Sequence, residues 1–311
     1  MPIRDLIAQL PATWYFAVGA ALALGVIPLA RHLLGSERLL DVPAGPLQVH
    51  SRPVPRLGGV GIFSALVAIL PLLAFAHEET SLPAGIGLAA AVFALGLADD
   101  RFRLPALPRL AMQIAVGAGA GWLGFRPAEL PPALGVPVAA VAVAACANGL
   151  NWLDGVDGLA GGVAAVAAAA LALAFHATGD PAWRDLSATL CGALLSFLAY
   201  NLSSGDRKVF LGDCGSMSCG ALLGLAALQL GNELPASGLP VAPWIILAVP
   251  LLELGITVAR RVFGRQPLFR GDRCHTYDRL LRAGVGLRQV LVLHWVAALA
   301  AGIVALGFLE A

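Results

Sequence analysis

The chain has 311 residues, of which 59% are hydrophobic and only 13% are charged, and its formal net charge is +1. Soluble domains carry roughly 25% charged residues, so this composition excludes an ordinary soluble enzyme as well as a disordered chain. The near-neutral charge gives no support for nucleic-acid binding. The composition instead predicts a polytopic membrane protein, built as a single domain over residues 1–311.

Ten stretches of the chain contain no Asp, Glu, Lys or Arg. A helix needs roughly 17–25 apolar residues to cross a bilayer, and all the stretches except 110–125 reach that length directly. Helices satisfy their own backbone hydrogen bonds in lipid, and these stretches lack the alternation of a membrane β-barrel. The sequence therefore predicts an all-α fold with about ten transmembrane helices. The predicted spans are 6–30, 57–77, 80–98, 110–125, 130–153, 158–179, 186–205, 214–232, 234–252 and 289–309, and the ninth span continues past Glu253 to Ala259.

Ten spans place both termini on one side of the membrane and divide the loops into two sets. The first set holds 17 of the 20 Lys and Arg residues, whereas the second holds only Arg4, Arg126 and Arg184. Loops rich in Lys and Arg face the cytoplasm, so both termini are predicted to lie on the non-cytoplasmic side. We expect the active site on the cytoplasmic face, where charged, Gly-rich loops cluster. The loops of the first set are 31–56, 99–109, 154–157, 206–213 and 260–288.

An acidic pair, Asp99 and Asp100, stands at the predicted cytoplasmic end of the third span. Adjacent carboxylates repel each other unless they share a cation or a proton. One use of such a pair is to bind Mg²⁺ or to activate a phosphate or hydroxyl group. The alternative is a solvated helix end.

A polar motif ends the fifth span, with Asn148, Asn151 and Asp154 spaced three residues apart and Asp157 next. On a helix this spacing forms a polar strip along one side, whose oxygen atoms can face a cation or a sugar. Gly155 also lets the backbone approach a ligand closely. The density of polar groups favours a functional loop over a simple turn between helices.

Lys208 and Asp213 belong to the loop that precedes the eighth span. Asp213 is well placed as a ligand for Mg²⁺, which usually takes one or two carboxylates together with substrate phosphates. A helix N-cap is the alternative role for Asp213. Lys208 can meet a phosphate or extend toward lipid headgroups.

The last loop is the longest and most basic one, and it contains Arg273, His275 and Arg279. Arg and His side chains suit the recognition of a pyrophosphate. The alternative is a basic segment beside the membrane that is attracted to anionic lipid.

Glu253 lies inside the ninth predicted span, three residues after Pro250. A carboxylate is costly in a membrane, so its presence there predicts a functional site. Pro250 is expected to kink or break the helix. The alternative for Glu253 is a simple ion pair with an Arg near the cytoplasmic end of the span.

Together these motifs resemble those of the polyprenyl-phosphate N-acetylhexosamine-1-phosphate transferases (glycosyltransferase family 4), the membrane superfamily that includes phospho-MurNAc-pentapeptide translocase. The resemblance extends from Asp41 to Gly284, and its most specific segment is 148–162, NGLNWLDGVDGLAGG. The Asp pair and the segments 208–216 and 250–261 add independent support. The resemblance implies a roughly ten-helix enzyme with its active site on the cytoplasmic face.

The resemblance implies a Mg²⁺-dependent reaction, with Mn²⁺ as an alternative ion. A UDP-N-acetylhexosamine and a polyprenyl phosphate, expected to be undecaprenyl phosphate, would yield a polyprenyl-diphospho-sugar and UMP. The product would start a lipid-linked cell-surface glycan, such as lipopolysaccharide or another cell-wall polysaccharide, at a bacterial inner (plasma) membrane. The expected partners are the two substrates and membrane lipid; nucleic acid is not expected, and a homodimer is left open.

The resemblance also implies roles for individual residues. The lipid phosphate is expected at Asp99 and Asp100, the candidate catalytic residues, and the metal ion at Asp213 and Asn151. Direct attack by the anionic lipid phosphate is favoured over a covalent intermediate on an aspartate. The candidate substrate-binding residues are Asp154, Asp157, Lys208 and His275, which match family positions, and Asn148, Arg273 and Arg279, which are selected from the polar strip and the basic last loop.

Two departures from the family pattern bear on the identity of the donor. Pro46 stands where the first-loop motif has an Arg, and the spacing from Asp41 to His50 is one residue longer. The last loop reads DRCHTYDRL instead of the triple-histidine run of the pentapeptide translocases, which favours a simple UDP-N-acetyl sugar. The alternatives are a phospho-MurNAc-pentapeptide transferase and, from another class, a secondary transporter with its polar groups near the membrane midplane.

Overall fold

The computed structural model describes residues 2–34, 40–41, 52–234 and 241–309, so Pro46 and His50 lie outside the described residues. Within those ranges the chain is almost entirely helical, which confirms the all-α fold class. In chain order the elements are α1 (Ile3–Ala8), α2 (Ala12–Leu34), β1 (Leu40–Asp41), β2 (Val54–Pro55), α3 (Gly58–His77), α4 (Ser81–Phe102), α5 (Ala106–Trp122), α6 (Pro132–Leu153), α7 (Leu159–Thr178), α8 (Pro181–Asn201), a 3₁₀ turn (Gly205–Arg207), α9 (Gly212–Glu233), α10 (Ala242–Ile246), α11 (Ala248–Phe263), α12 (Thr276–Arg282) and α13 (Leu287–Gly307).

Seven helices in the described ranges are long and apolar enough to cross a membrane, namely α2, α3, α4, α6, α7, α9 and α13. The chain is therefore a polytopic membrane protein. The other three predicted spans fall on α5, which has only 17 residues, on α8, whose first turns carry Arg184 and Asp185, and on the pair α10 and α11. The count of ten spans and the side on which the termini lie stay predictions.

The ninth predicted span is interrupted at Leu247, between α10 and α11. Pro250 has no N–H group and cannot donate to the carbonyl oxygen of Ile246, one helical turn earlier. The break that the sequence predicts near Pro250 is therefore confirmed, and α11 starts as a separate helix two residues before the proline.

The central helix of the bundle is α9, which packs against α3, α4, α6 and α7. Most of its residues are buried, and small residues along it allow the neighbouring helices to approach closely. At Gly96 of α4, a Cβ atom would lie only 2.5 Å from the carbonyl oxygen of Asp213. This glycine brings the end of α4, with its acidic pair, directly against the start of α9.

The first loop is tied to the loop before α9 by backbone contacts. The strands β1 and β2 pair antiparallel with Asp41 opposite Val54, and Arg56 forms an isolated β-bridge with Phe210. The amide of Gly58 donates to the carbonyl oxygen of Phe210 at 2.9 Å. These contacts place the Arg56 side chain beside the end of α4.

Candidate active site

A cavity of about 950 Å³ opens at one end of the bundle, where α4 and α6 end and α9 begins. Each of the five loops of the Lys- and Arg-rich set contributes to its lining. Asp99, Asn148 and Arg279 are not among the lining residues. The other predicted site residues all line it, and they are Asp100, Asn151, Asp154, Asp157, Lys208, Asp213, Arg273 and His275.

Asp100 is held at the start of α9. Its carboxylate oxygens accept hydrogen bonds from the backbone amides of Asp213 and Cys214, both at 3.0 Å. Those amides lack partners within their own helix, and the positive end of the helix dipole favours a negative charge there. Gly212 has a φ of 77°, and a Cβ on it would lie 2.8 Å from Asp100 Oδ2. Arg56 Nη1 completes the set at 3.4 Å.

Asp99 has different surroundings from its neighbour in sequence. Its carboxylate accepts a hydrogen bond from the Leu104 amide at 2.7 Å and forms an ion pair with Arg109. It also interacts with the Asp213 carboxyl group. The contacts with Leu104 and Arg109 close the turn between α4 and α5. Of the two adjacent carboxylates, Asp100 lines the cavity, whereas Asp99 does not line it but contacts the cavity residue Asp213.

Asn151 and Asp213, the predicted metal ligands, lie side by side in the cavity. Asn151 Nδ2 donates to Asp213 Oδ1 at 2.5 Å and to Ser216 Oγ at 2.9 Å. Coordination of one ion by both side chains would require the Asn151 amide to present its oxygen instead. No group of three or more His, Cys, Asp or Glu side chains in the described part of the chain is arranged to hold a metal ion. Mg²⁺ commonly uses fewer protein ligands, together with substrate phosphates and water, so these residues fit it.

Asp154 lies directly after α6 and lines the same cavity. Among the described residues its carboxylate has no hydrogen-bond or ion-pair partner. Dehydration, followed by the negative charges of Asp213, Asp100 and Asp157, raises the pKa of the Asp154 carboxyl well above its ordinary value. This local excess of negative charge fits a site that holds a cation.

Asp157 and Lys208 form an ion pair at the cavity wall, with Nζ 2.5 Å from Oδ2. Lys208 Nζ also lies 5.6 Å from the centroid of the Phe210 ring. Asn201, at the end of α8, donates to Asp157 at 3.4 Å and accepts from the Gly158 amide at 2.6 Å. The Lys208 ammonium group is thus held beside the carboxylate cluster, where it can meet a phosphate.

The last loop brings Arg273 and His275 to the cavity wall. Arg273 donates to Asp278 Oδ1 at 3.4 Å, and Asp278 Oδ2 accepts from the His275 amide at 3.3 Å. His275 Nδ1 lies 2.8 Å from Glu253 Oε1. Glu253 therefore pairs with a histidine, and the alternative of an ion pair with an Arg is wrong among the described residues.

Two predicted substrate-binding residues lie away from the cavity. Asn148, one turn deeper in α6, donates to the Gln113 side chain at 2.6 Å and to the Ala144 carbonyl at 2.7 Å. Arg279 is exposed on α12. Neither of them is among the residues that line the cavity.

The sequence prediction did not select Asn201 or Tyr277, both of which line the cavity. Asn201 is the last residue of α8 and directly precedes a basic loop. That position in the sequence could have identified it as a candidate site residue. Tyr277 follows His275 by two residues, and its ring stacks on the imidazole at a centroid distance of 5.5 Å. Its position at the cavity depends on the close approach of Tyr277 to Gly155, which the sequence pattern does not express.

The comparisons with known proteins agree with the motifs. The family model of glycosyl transferase family 4 matches residues 82–231. The decaprenyl-phosphate N-acetylglucosaminephosphotransferase of Mycolicibacterium smegmatis is 30% identical over 295 residues, which cover 82% of this chain and 72% of that protein. A probable undecaprenyl-phosphate N-acetylglucosaminyl 1-phosphate transferase of Bacillus subtilis is 27% identical over 304 residues, covering 90% of this chain and 80% of its own length.

The family match extends from α4 through most of α9. It therefore contains Asp100, Asn151, Asp154 and Asp213, which the fold brings to one cavity. The match to the mycobacterial relative extends over most of both chains. On these grounds the chain belongs to glycosyl transferase family 4.

Proposed function

We propose that the protein transfers N-acetylglucosamine 1-phosphate from UDP-N-acetylglucosamine to a polyprenyl phosphate and releases UMP. The observation that carries the proposal is the cavity at the end of the bundle, where Asp100, Asp154 and Asp213 line the same space as Lys208 and Arg273. Carboxylates suit a hard metal ion, and the cationic side chains suit phosphates. The relatives are named for N-acetylglucosaminyl 1-phosphate transfer to undecaprenyl or decaprenyl phosphate, which supports this sugar and this acceptor class.

Mg²⁺ is the proposed cofactor, with Mn²⁺ as the alternative hard ion. When bound, the ion neutralises negative charge on the donor pyrophosphate and on the leaving UMP. Asp213 and Asn151 would hold it, and Asp154 would add negative charge beside it. The unpaired state of Asp154 among the described residues supports this assignment.

Direct attack by the lipid phosphate is the proposed chemistry. An oxygen of the acceptor phosphate forms a bond to the phosphorus attached to the sugar, the bond from that phosphorus to UMP breaks, and its electron pair leaves with UMP. The acceptor is already an anion, so no residue has to remove a proton. Asp100 is poorly suited to covalent attack, because its oxygens already accept hydrogen bonds from two backbone amides and from Arg56.

We propose ten spans with both termini on the non-cytoplasmic side of a bacterial inner membrane. All five loops predicted to be cytoplasmic contribute to the cavity, which supports this orientation. A UDP-sugar is soluble, whereas the acceptor phosphate lies at the headgroup level, and a cavity at the cytoplasmic end is open to both. Large apolar side chains such as Leu299 and Ile303 are exposed on α13 and are available to membrane lipid or to a second copy of the chain.

A phospho-MurNAc-pentapeptide transferase is the second candidate within the family. The relatives named above act with N-acetylglucosamine, and the last loop lacks the triple-histidine run, so the simpler donor is favoured. A secondary transporter is disfavoured because the polar residues that line the cavity are gathered at one end of the bundle.

The test is a transfer assay with purified protein, Mg²⁺, radiolabelled UDP-N-acetylglucosamine and undecaprenyl phosphate. We expect a labelled lipid and one UMP for each sugar transferred. UDP-N-acetylgalactosamine and UDP-MurNAc-pentapeptide, assayed in parallel, determine the donor. No transfer from any of these donors would refute the proposed function.

A further inference from the structure

The buried face of α11 carries polar residues to which the proposed chemistry gives no role. Glu253, Thr257 and Arg261 recur at intervals of four residues and therefore lie on one side of the helix. Arg261 packs over the Trp152 ring, with its guanidinium carbon 5.2 Å from the ring centroid, and donates to the Leu268 carbonyl oxygen at 2.5 Å. This polar face is thus attached to the last loop and to the end of α6.

The Glu253 carboxylate joins α11 to the start of α12. Oε1 accepts a hydrogen bond from Thr257 Oγ1 at 3.0 Å and lies 2.8 Å from His275 Nδ1. Oε2 accepts from the Thr276 amide at 3.3 Å and also from the Thr276 hydroxyl. Glu253 is only 2% exposed, so its charge depends on these donors for stabilisation.

The contact with Glu253 determines which nitrogen of His275 is available to a ligand. An ionised carboxylate can only accept a hydrogen bond, so Nδ1 carries a proton in this pair. Nε2 has no hydrogen-bond partner in the part of the chain that the structure describes. Because the ring lines the cavity, Nε2 is the nitrogen that remains for a substrate.

Ring contacts hold the imidazole in this orientation. Tyr277 stacks on His275 at a centroid distance of 5.5 Å and an interplanar angle of 7°, and Trp152 contacts it at 5.8 Å. A Cβ atom on Gly155 would lie 1.8 Å from the Tyr277 hydroxyl oxygen, so the missing side chain makes room for this stack. Turning the His275 ring would break the Glu253 contact and the stack together.

We propose that Glu253 is a positioning residue for the transfer reaction, holding His275 with Nε2 available to the phosphate groups of the UDP-sugar. This inference rests on the proposed function, because it concerns the contact that His275 makes with the donor. An imidazole that holds a proton on each nitrogen can donate from Nε2 to a phosphate oxygen as a charge-assisted hydrogen bond. Glu253 itself does not touch the substrate.

A double-mutant cycle tests whether Glu253 acts through His275. In Glu253→Gln, we expect kcat/KM for UDP-N-acetylglucosamine to fall at least about tenfold, as for other carboxylates that orient a functional histidine. Glu253→Asp should retain more activity because it keeps the charge. In a His275→Gln background, adding Glu253→Gln should change kcat/KM less than about twofold. An equal fall in both backgrounds, or an unchanged kcat/KM in Glu253→Gln, would overturn the proposal.

The chain offers a matched control in Asp185 and His77, another buried carboxylate–histidine pair, with Oδ2 and Nε2 3.1 Å apart. Asp185 stands near the start of α8, whereas Asn201, at the end of α8, lines the cavity. Asp185→Asn should lower Tm and leave kcat/KM unchanged. If both variants lost kcat/KM in proportion to their loss of Tm, a purely structural role for Glu253 would replace the proposal.

A spectroscopic measurement tests the pair without any turnover. In protein labelled with ¹⁵N-histidine, with the His275 signals assigned by their loss in His275→Gln, we expect Nδ1 of His275 to carry a proton. A neutral ring protonated only at Nε2 would contradict the proposal. Absence of transfer by the unmodified protein would refute the proposed function while leaving this measurement to decide the role of Glu253.

Discussion

The two ends of the helical bundle use similar chemical groups in different ways. At one end Glu253 pairs with His275, and at the other Asp185 pairs with His77. Both carboxylates are buried, and about 24 Å of α8 separates Asp185 from Asn201 at the cavity, given 1.5 Å per helical residue. His275 lines a cavity, whereas His77 is not among the cavity-lining residues. A buried carboxylate–histidine pair thus occurs at both ends, and the pair formed by Glu253 and His275 is the one that lies at the proposed active-site cavity.

The acidic residues at the two ends of the bundle also differ in whether their carboxylates have partners within the protein. Asp180 accepts hydrogen bonds from two amides at the start of α8, and Asp185 also pairs with Arg184 at 2.7 Å. At the cavity end, Asp154 has no such partner among the described residues and shares the space with Asp100 and Asp213. The two carboxylates at the start of α8 are thus paired within the protein, whereas the Asp154 carboxylate at the cavity has no partner among the described residues.

The largest expected effect comes from removing the proposed metal ligand. Asp213→Asn should reduce Mg²⁺-dependent turnover at least about a thousandfold, because a bound ion contributes several kcal/mol of charge stabilisation in the transition state. Radiometric transfer assays over a Mg²⁺ titration measure this effect. Asp206→Asn makes the same change on the exposed 3₁₀ turn and should keep normal turnover. Equal activity of the two variants would contradict the metal role of Asp213.

The acidic pair provides the next comparison, between neighbours with different surroundings. Asp100→Asn should reduce turnover about a hundredfold, since Asp100 lines the cavity and holds Arg56 beside it. Asp99→Asn should act mainly on folding, with a loss of about 1.5–3 kcal/mol from its contacts with Arg109 and the Leu104 amide. Kinetics and thermal unfolding of both variants separate the two effects. A larger kinetic loss in Asp99→Asn would reverse the assignment.

Helix packing at the cavity end depends on Gly96. Gly96→Ala should lower the free energy of unfolding by about 1–3 kcal/mol, because the new Cβ would meet the backbone of Asp213 at 2.5 Å. Gly87→Ala lies on the same helix, where nothing is within 4 Å of the new Cβ, and should be neutral or slightly stabilising. Thermal unfolding in detergent compares them. Equal stability of the two variants would mean that α4 does not pack closely against α9 at Gly96.

Much of this molecule could be predicted from the sequence because two strong physical constraints act on it. A bilayer requires long apolar helices, so the membrane fold was predictable. The few charged residues are concentrated in the loops, so the clustering of Asp100, Asp154 and Asp213 was predictable as well. Whether a polar residue at a helix end turns toward the cavity depends on rotation and packing. Asn148 is an example. Its three-residue spacing from Asn151 predicts that both side chains face the same way, but the Asn148 amide donates to Gln113 inside the bundle.

The smallest expected effect concerns Arg279, which the sequence pattern assigns to substrate binding. Arg279 is exposed on α12 and does not line the cavity, so Arg279→Ala should change kcat/KM for the UDP-sugar less than about twofold. Arg273→Ala is the matched comparison in the same loop, and it should reduce kcat/KM about tenfold because Arg273 lines the cavity. A large loss in Arg279→Ala would mean that α12 turns toward the donor during the reaction. That outcome would restore the role predicted from the sequence, and a charged residue outside the cavity would then matter as much as one that lines it.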